Sequence, residues 1–405
     1  MSMDKQETNV LLIGQSGVGK SSLLNYLFGK KIQETGVGKP VTGKGVYKKV
    51  YEYDESFNIN IYDTWGLEPD KSGEWEKLII DEVRSHDKKS ISEWFHTIIF
   101  CLNSNKARIE DFEISMIKRL HDEKNNIVIA ITHCDIEKGE MLDKSMTKRI
   151  LNETEVAKEN IVYVNSVEQK LITGNTIAAF GRKEVFKQII QTLWQTLKEK
   201  LFFRIYQDFD EKMEDIKNDI YQEIDMQKMS LLTLKKIKNN KYDNLERIIN
   251  EKILWGLTTA LSVVNSTFSY ALDYYNKLSE KYVSISLFNL FDKQKEWNIS
   301  YDIDNTFKYE AAETIRKIER SLEETKNLLL KKILDDPKKK KDIQEIIEMA
   351  NKYLRTYSSI KKTLKSNLNQ HINCVKMEIY NEITNLEKRV KNLQIEKIYI
   401  KQMNS

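Results

Sequence analysis

Glycine is sorted along this chain of 405 residues, and the sorting limits the fold more than any other feature. Thirteen of the 14 glycines lie between Gly14 and Gly181, and the last 224 residues hold one, Gly256. Glycine supplies the positive-φ and close-approach positions that tight turns need, so a long stretch without it contains few sharp turns. Two architectures in one chain follow: a turn-rich first part and a nearly turn-free second part. With only 3 prolines, a collagenous or proline-rich linker protein is excluded. At 40% hydrophobic and 31% charged residues the chain can bury a core, and its length fits two or three domains.

The first part alternates short apolar runs with helical patterns. Residues 9–13, 97–102, 127–131 and 161–164 read as buried strands, and 46–53 and 57–62 alternate about a short polar turn like a hairpin. Residues 20–28, 109–122 and 141–151 carry helical spacing between them. This predicts an α/β domain over 1–184, a mostly parallel sheet with helices on both faces. Residues 185–203 predict one long helix leading out of it, and 185–405 an all-α bundle. Leu368, Ile372, Val375, Ile379, Ile383, Leu386, Val390 and Leu393 step by four and three, close to the heptad seam of a coiled-coil tail.

Residues 253–272 hold no charge, but Thr258, Thr259, Ser262, Asn265, Ser266, Thr267 and Ser269 make the run too polar for a convincing membrane span. A central bundle helix packed on all sides is expected there, with a membrane-touching element as the alternative. Net charge is +4 overall, yet residues 338–405 carry 15 Lys and Arg against 7 Asp and Glu. A solvated lysine-rich helix accounts for this, an anionic partner being the other reading. No aromatic residues interleave with the lysine run 338–341, so nucleic acid is not expected as a partner. The opening residues lack the apolar core of a secretory signal. Cys101, Cys134 and Cys374 are too dispersed for a disulfide or zinc framework, which points to a reducing cytoplasm.

One motif carries chemistry by itself. Gly14, Gln15, Ser16, Gly17, Val18, Gly19, Lys20 and Ser21 match G-x-x-x-x-G-K-[ST] between a predicted strand and a predicted helix, followed by Ser22. Glycines let backbone N–H groups wrap phosphates, Lys20 reaches their oxygens, Ser21 offers a hydroxyl to Mg2+, and the helix adds its positive dipole end.

Four further segments follow in order, and with them residues 8–200 resemble the GTPases of the translation-factor and Ras-like class. Thr42 stands where these proteins keep a switch threonine on Mg2+ and the γ-phosphate. Asp63-Thr64-Trp65-Gly66 matches D-x-x-G, which implies that Asp63 holds Mg2+ through water and that the Gly66 N–H senses the γ-phosphate. Thr132-His133-Cys134-Asp135 stands where the class has [NT]-K-x-D, so that Asp135 would read guanine N1–H and the exocyclic amine. Ser166 and Val167 stand in the loop that touches guanine O6. The resemblance thus implies GTP or GDP and Mg2+ as ligands, and GTP hydrolysis.

The departures are informative. His133 replaces the usual lysine, and Val167 the usual alanine. Leu67 follows Gly66 where Ras-type members carry a glutamine that orients water, and a hydrophobic side chain cannot do that. The sequence resembles most the bacterial Era-like G domains of the small ribosome-binding-GTPase type, with AIG1-type, immunity-related, septin and dynamin-type proteins also similar. From this we expect slow hydrolysis by the monomer and acceleration by a homodimer or homo-oligomer, with Arg84 and Arg108 as candidate charge-stabilising arginines. Two alternatives stand beside a switch GTPase: a dynamin-like protein at a membrane surface, and a nucleotide-gated scaffold with negligible hydrolysis.

Overall fold

The computed structural model describes residues 5–29, 32–34, 46–55, 57–64, 72–106, 108–134, 144–170, 176–226, 241–285, 343–392 and 395–398. The chain divides into two compact units. The first is Met1–Ile205 with Thr267–Gln294 and Glu387–Ser405, and the second is Tyr206–Ser266 with Lys295–Leu386.

The first unit is built on a seven-stranded sheet. Its strands are β1 (Gln6–Ile13), β2 (Ile32–Glu34), β3 (Val46–Glu52), β4 (Phe57–Thr64), β5 (Phe95–Asn103), β6 (Ile127–Thr132) and β7 (Ile161–Tyr163), in the order β2-β3-β4-β1-β5-β6-β7. β3 pairs antiparallel with β2 and β4, and every other pairing is parallel. The expected hairpin is therefore β3–β4. β1 is buried at every position from Thr8 to Ile13, as a central strand covered on both faces must be.

Leu11 and Ile13 join β5 and β6 residues in a core shared with Ile79, Ile80 and Val83 of α2 (Ser72–Asp87). Ile114 and Ile117 of α3 (Asp111–Asp122) and Met146 and Ile150 of α4 (Lys144–Glu153) complete this layer. On α1 (Lys20–Phe28), Lys20, Leu23, Leu24, Leu27 and Phe28 are buried, the i, i+3, i+4 stripe of a helix lying on a sheet. The Phe28 ring meets Phe186 of α5 (Arg182–Lys198) at 5.4 Å. Two short antiparallel pairs, β8 (Gln169–Lys170) with β9 (Thr176–Ile177) and β10 (Val283–Ile285) with β11 (Ile395–Ile398), are the other strands among the described residues.

The single helix expected over 185–203 is two. α5 ends at Lys198, Glu199 leaves helical geometry at φ −121°, and α6 (Lys200–Met226) begins at once. Among the described residues the further α-helices are α7 (Lys241–Tyr282) and α8 (Ile343–Lys391).

Within the second unit, α6 and α8 run antiparallel. Tyr206 bonds Thr384, Asp210 pairs with Lys376, Tyr221 bonds the Lys365 carbonyl, and Asp225 pairs with Lys365. The excess of lysine in the last part of the chain is thus partly spent on acids of α6. Leu368, Ile372, Val375, Ile379, Ile383 and Leu386 are all buried, as is Val390 in the first unit, and Leu393 lies outside the described residues. The late glycine is explained too: a Cβ on Gly256 would lie 2.4 Å from Cγ1 of Ile216, so α6 lies directly against the α7 backbone.

The uncharged run in α7 is not packed on all sides. Ile253, Leu257, Ala260, Leu261 and Val264 are buried, whereas Leu254, Trp255, Thr258, Ser262 and Ser266 are exposed. No helix among the described residues is long and apolar enough to cross a membrane.

Candidate functional site

The order of strands reverses at β1, whose neighbours are β4 on one side and β5 on the other. In open α/β sheets a crevice forms at such a point beyond the carboxyl ends of the strands, and ligands bind there. The glycine loop 14–19 occupies this crevice between β1 and α1.

Two of its glycines are required by the geometry. Gly14 has φ 147°, and a Cβ there would lie 2.6 Å from the Cys101 carbonyl of β5. Gly19 has φ 90°, and its Cβ would lie 2.9 Å from Nε2 of His133. A side chain at either position would push the loop off the sheet end.

Lys20 is buried, and its ammonium donates to the carbonyls of Gly14 at 2.8 Å and Gln15 at 3.1 Å. Burial pulls it below the ordinary lysine range, against the opposing influence of Cys101 and Asp63. Asp63 lies near the end of β4, and burial pushes its carboxyl above the usual range while Lys49 and Lys20 pull it back. Its Oδ1 is buried with no hydrogen-bond partner. A buried cation and a buried carboxylate, each short of compensation, suit the negative charge of a phosphate and the positive charge of a divalent ion respectively. The donor set is of the hard oxygen kind that Mg2+ prefers, with the Ser21 hydroxyl exposed at the first turn of α1. Burial drives the Cys101 thiol up to about 12, so it remains a neutral wall behind the loop.

The far side of the crevice is formed by the ends of β6 and β7. Thr132 Oγ1 donates to the carbonyls of Val18 and Leu102, joining β6 to the loop and to β5. His133 adopts φ 57°, with Nε2 buried and unpartnered. Ser166 also has a buried, unpartnered Oγ, whereas Val167 is 56% exposed. Ser16, Gly17 and Ser21 are exposed along the loop, and Ser22 is half-buried. Thr42, Gly66, Leu67 and Asp135 lie outside the described residues. Arg84 is engaged by Glu123 at 2.6 Å, and Arg108 lies 3.8 Å from Glu110.

Sequence reasoning missed Lys106, whose ammonium donates to the Gln15 side chain. It also missed Ser104, which donates to the His133 carbonyl at 2.8 Å. Both follow the carboxyl end of β5, beside β1, where the strand order alone would have drawn attention to them.

This fold and cradle define a P-loop nucleotide-binding domain. Residues 9–133 match the family model described as 50S ribosome-binding GTPase. Cell division control protein 10 of Saccharomyces cerevisiae is 28% identical over 144 residues, 30% of this chain and 45% of that protein. GTPase Der of Clostridium kluyveri is 30% identical over 132 residues, 32% of this chain and 28% of that protein. The chain thus spans less than half the length of these curated relatives.

Among solved structures, the septin GTPase domain from Chlamydomonas reinhardtii matches with a TM-score of 0.35 at 14% identity, over 47% of this chain and 91% of that one. Toc33 from Arabidopsis thaliana in complex with GDP and Mg2+ matches with a TM-score of 0.33 at 17% identity, over 46% and 84%.

Proposed function

We propose that this protein binds a guanine nucleotide with Mg2+, hydrolyses GTP to GDP and phosphate, and passes the nucleotide state from residues 1–184 to the helices of 185–405. One observation carries the proposal. A glycine cradle holding a buried lysine opens on the same crevice as a buried, unpartnered aspartate oxygen.

Lys20 and the loop N–H groups would bind the phosphates, aided by the dipole of α1. Ser21 and Asp63 would hold Mg2+, which supplies neutralisation of phosphate charge. Thr132, His133, Ser166 and Val167 would form the base side, completed by Asp135. By resemblance Thr42 adds a further metal ligand, and Gly66 a γ-phosphate contact. Catalysis in this scheme is placement and charge stabilisation rather than covalent chemistry. Leu67 cannot orient water, so we assign acceleration to self-association of the chain. A membrane-remodelling role is a separate reading that liposome sedimentation with and without GTP decides.

Binding of a fluorescent GTP analogue tests the site. Lys20→Ala should weaken it more than ~100-fold, and ATP should compete poorly. A variant of wild-type affinity, or ATP competing as well as GTP, would overturn the reading.

A further inference from the structure

A fully buried ion pair lies at the end of the sheet opposite the crevice, by the start of β5. Lys200 and Asp87 meet at 2.6 Å with side chains 0% and 2% exposed. The ammonium also donates to Asn125 Oδ1 at 2.7 Å and to the Phe95 carbonyl at 3.4 Å, and lies 5.8 Å from the Trp94 ring centre. The ammonium thus has one ionic partner and two hydrogen-bond acceptors. Burial lowers the basicity of this lysine, and Asp87 opposes the shift.

The placement is unfavourable for each helix alone. Asp87 is the last residue of α2, and Lys200 is the first of α6. Helix dipoles disfavour an acid at a carboxyl end and a cation at an amino end. A well-packed apolar pair would serve stability as well or better, because burying two charges is costly even when they are paired. What the ionic pair adds is direction: an ionic contact to α2 and hydrogen bonds to the start of β5 and the turn before β6 fix where α6 begins. α2 is the helix that follows the Asp63 strand, and its Ile79, Ile80 and Val83 are locked into the sheet core. A displacement of α2 thus reaches Asp87 as a rigid shift.

We propose that Lys200 is a positioning residue that couples α2 to α6, so that a change at the Asp63 end of the crevice is delivered to the first turns of the long helix through Asp87. The inference rests on the nucleotide reading above. It is distinct from the phosphate site, which Lys200 does not touch.

Hydrogen exchange of the full chain, saturated with Mg2+ and either GDP or a non-hydrolysable GTP analogue, tests it. In the wild type, amides at the start of α6 should exchange at least ~3-fold differently in the two states. In Lys200→Met the difference should disappear, while affinity for fluorescent GDP stays within ~2-fold. Asp87→Asn should behave alike, and the apolar pair Lys200→Met with Asp87→Leu provides a folded control if the single variants melt. Equal exchange in both states of the wild type would overturn the coupling, as would a difference that survives in the variants. Absence of any guanine-nucleotide binding by the wild type, read directly by fluorescence, would instead overturn the functional reading and remove the input to the coupling.

Discussion

His96 shows how one residue can bind a fold to a protonation state. It is fully buried on β5, where Nδ1 accepts from the Asn9 N–H at 3.1 Å and Nε2 donates to the Ile91 carbonyl at 2.9 Å. The Tyr274 ring stacks on it at 5.4 Å. Burial, then the nearby charge of Lys200, pulls its pKa down to about 3, with the Ile91 bond opposing. The folded state therefore needs the neutral ring, whereas the unfolded chain accepts a proton near pH 6.5. Stability from this residue is present above pH 6.5 and is lost as pH falls toward 3, by ~1.4 kcal/mol per unit. Urea midpoints at pH 6.5 and 5.0 should show the wild type losing ~2 kcal/mol more than His96→Gln. Equal losses in the two proteins would refute the assignment. Burial also disfavours the charged forms of Lys20 and Asp63, but each has a charge of opposite sign beside it that opposes the shift.

At the scale of elements, the strands and the phosphate loop were legible because each is a local pattern. An apolar run of four to six residues ending at glycine needs no partner to be recognised, and β1 with its loop is such a pattern. The heptad-like stripe of α8 was legible for the same reason, and its apolar positions are the buried ones. What periodicity does not disclose is which face meets which neighbour. The neutral run of α7 looked buried throughout because it lacks charge, yet hydroxyls can satisfy themselves on their own helix. Thr258 and Thr259 donate to the carbonyls four residues back at 2.8 Å, so that face stays exposed at little cost. The break at Glu199 leaves no local signal, and the partner that holds Lys200 beside it, Asp87, stands more than a hundred positions earlier. Gly256 offers a test of an element contact. Helix propensity alone would make Gly256→Ala stabilising by ~1 kcal/mol. The Ile216 contact reverses the sign, and overpacking should leave the variant ~1 kcal/mol less stable in urea unfolding. A more stable variant would mean that α6 yields freely at that point.

For the whole molecule, the absence of a water-orienting side chain after Gly66 has a kinetic consequence. If catalytic help comes from a second copy, GTP turnover per chain should rise at least ~5-fold between sub-micromolar and tens of micromolar protein, and should fall again on dilution. A flat and fast specific activity would remove self-association from the scheme.

The first unit also draws on distant parts of the chain. Val283 pairs with Ile398, and Tyr274 donates to the Glu7 carbonyl of β1. A ribosome making this protein releases the phosphate loop early, but the partners of β10 only after more than a hundred further residues. Closing so long a loop is entropically slow. The last strand pair of the first unit therefore forms only after α7 and α8 have been synthesised, so completion of that unit follows synthesis of the helices that lie between its parts in sequence.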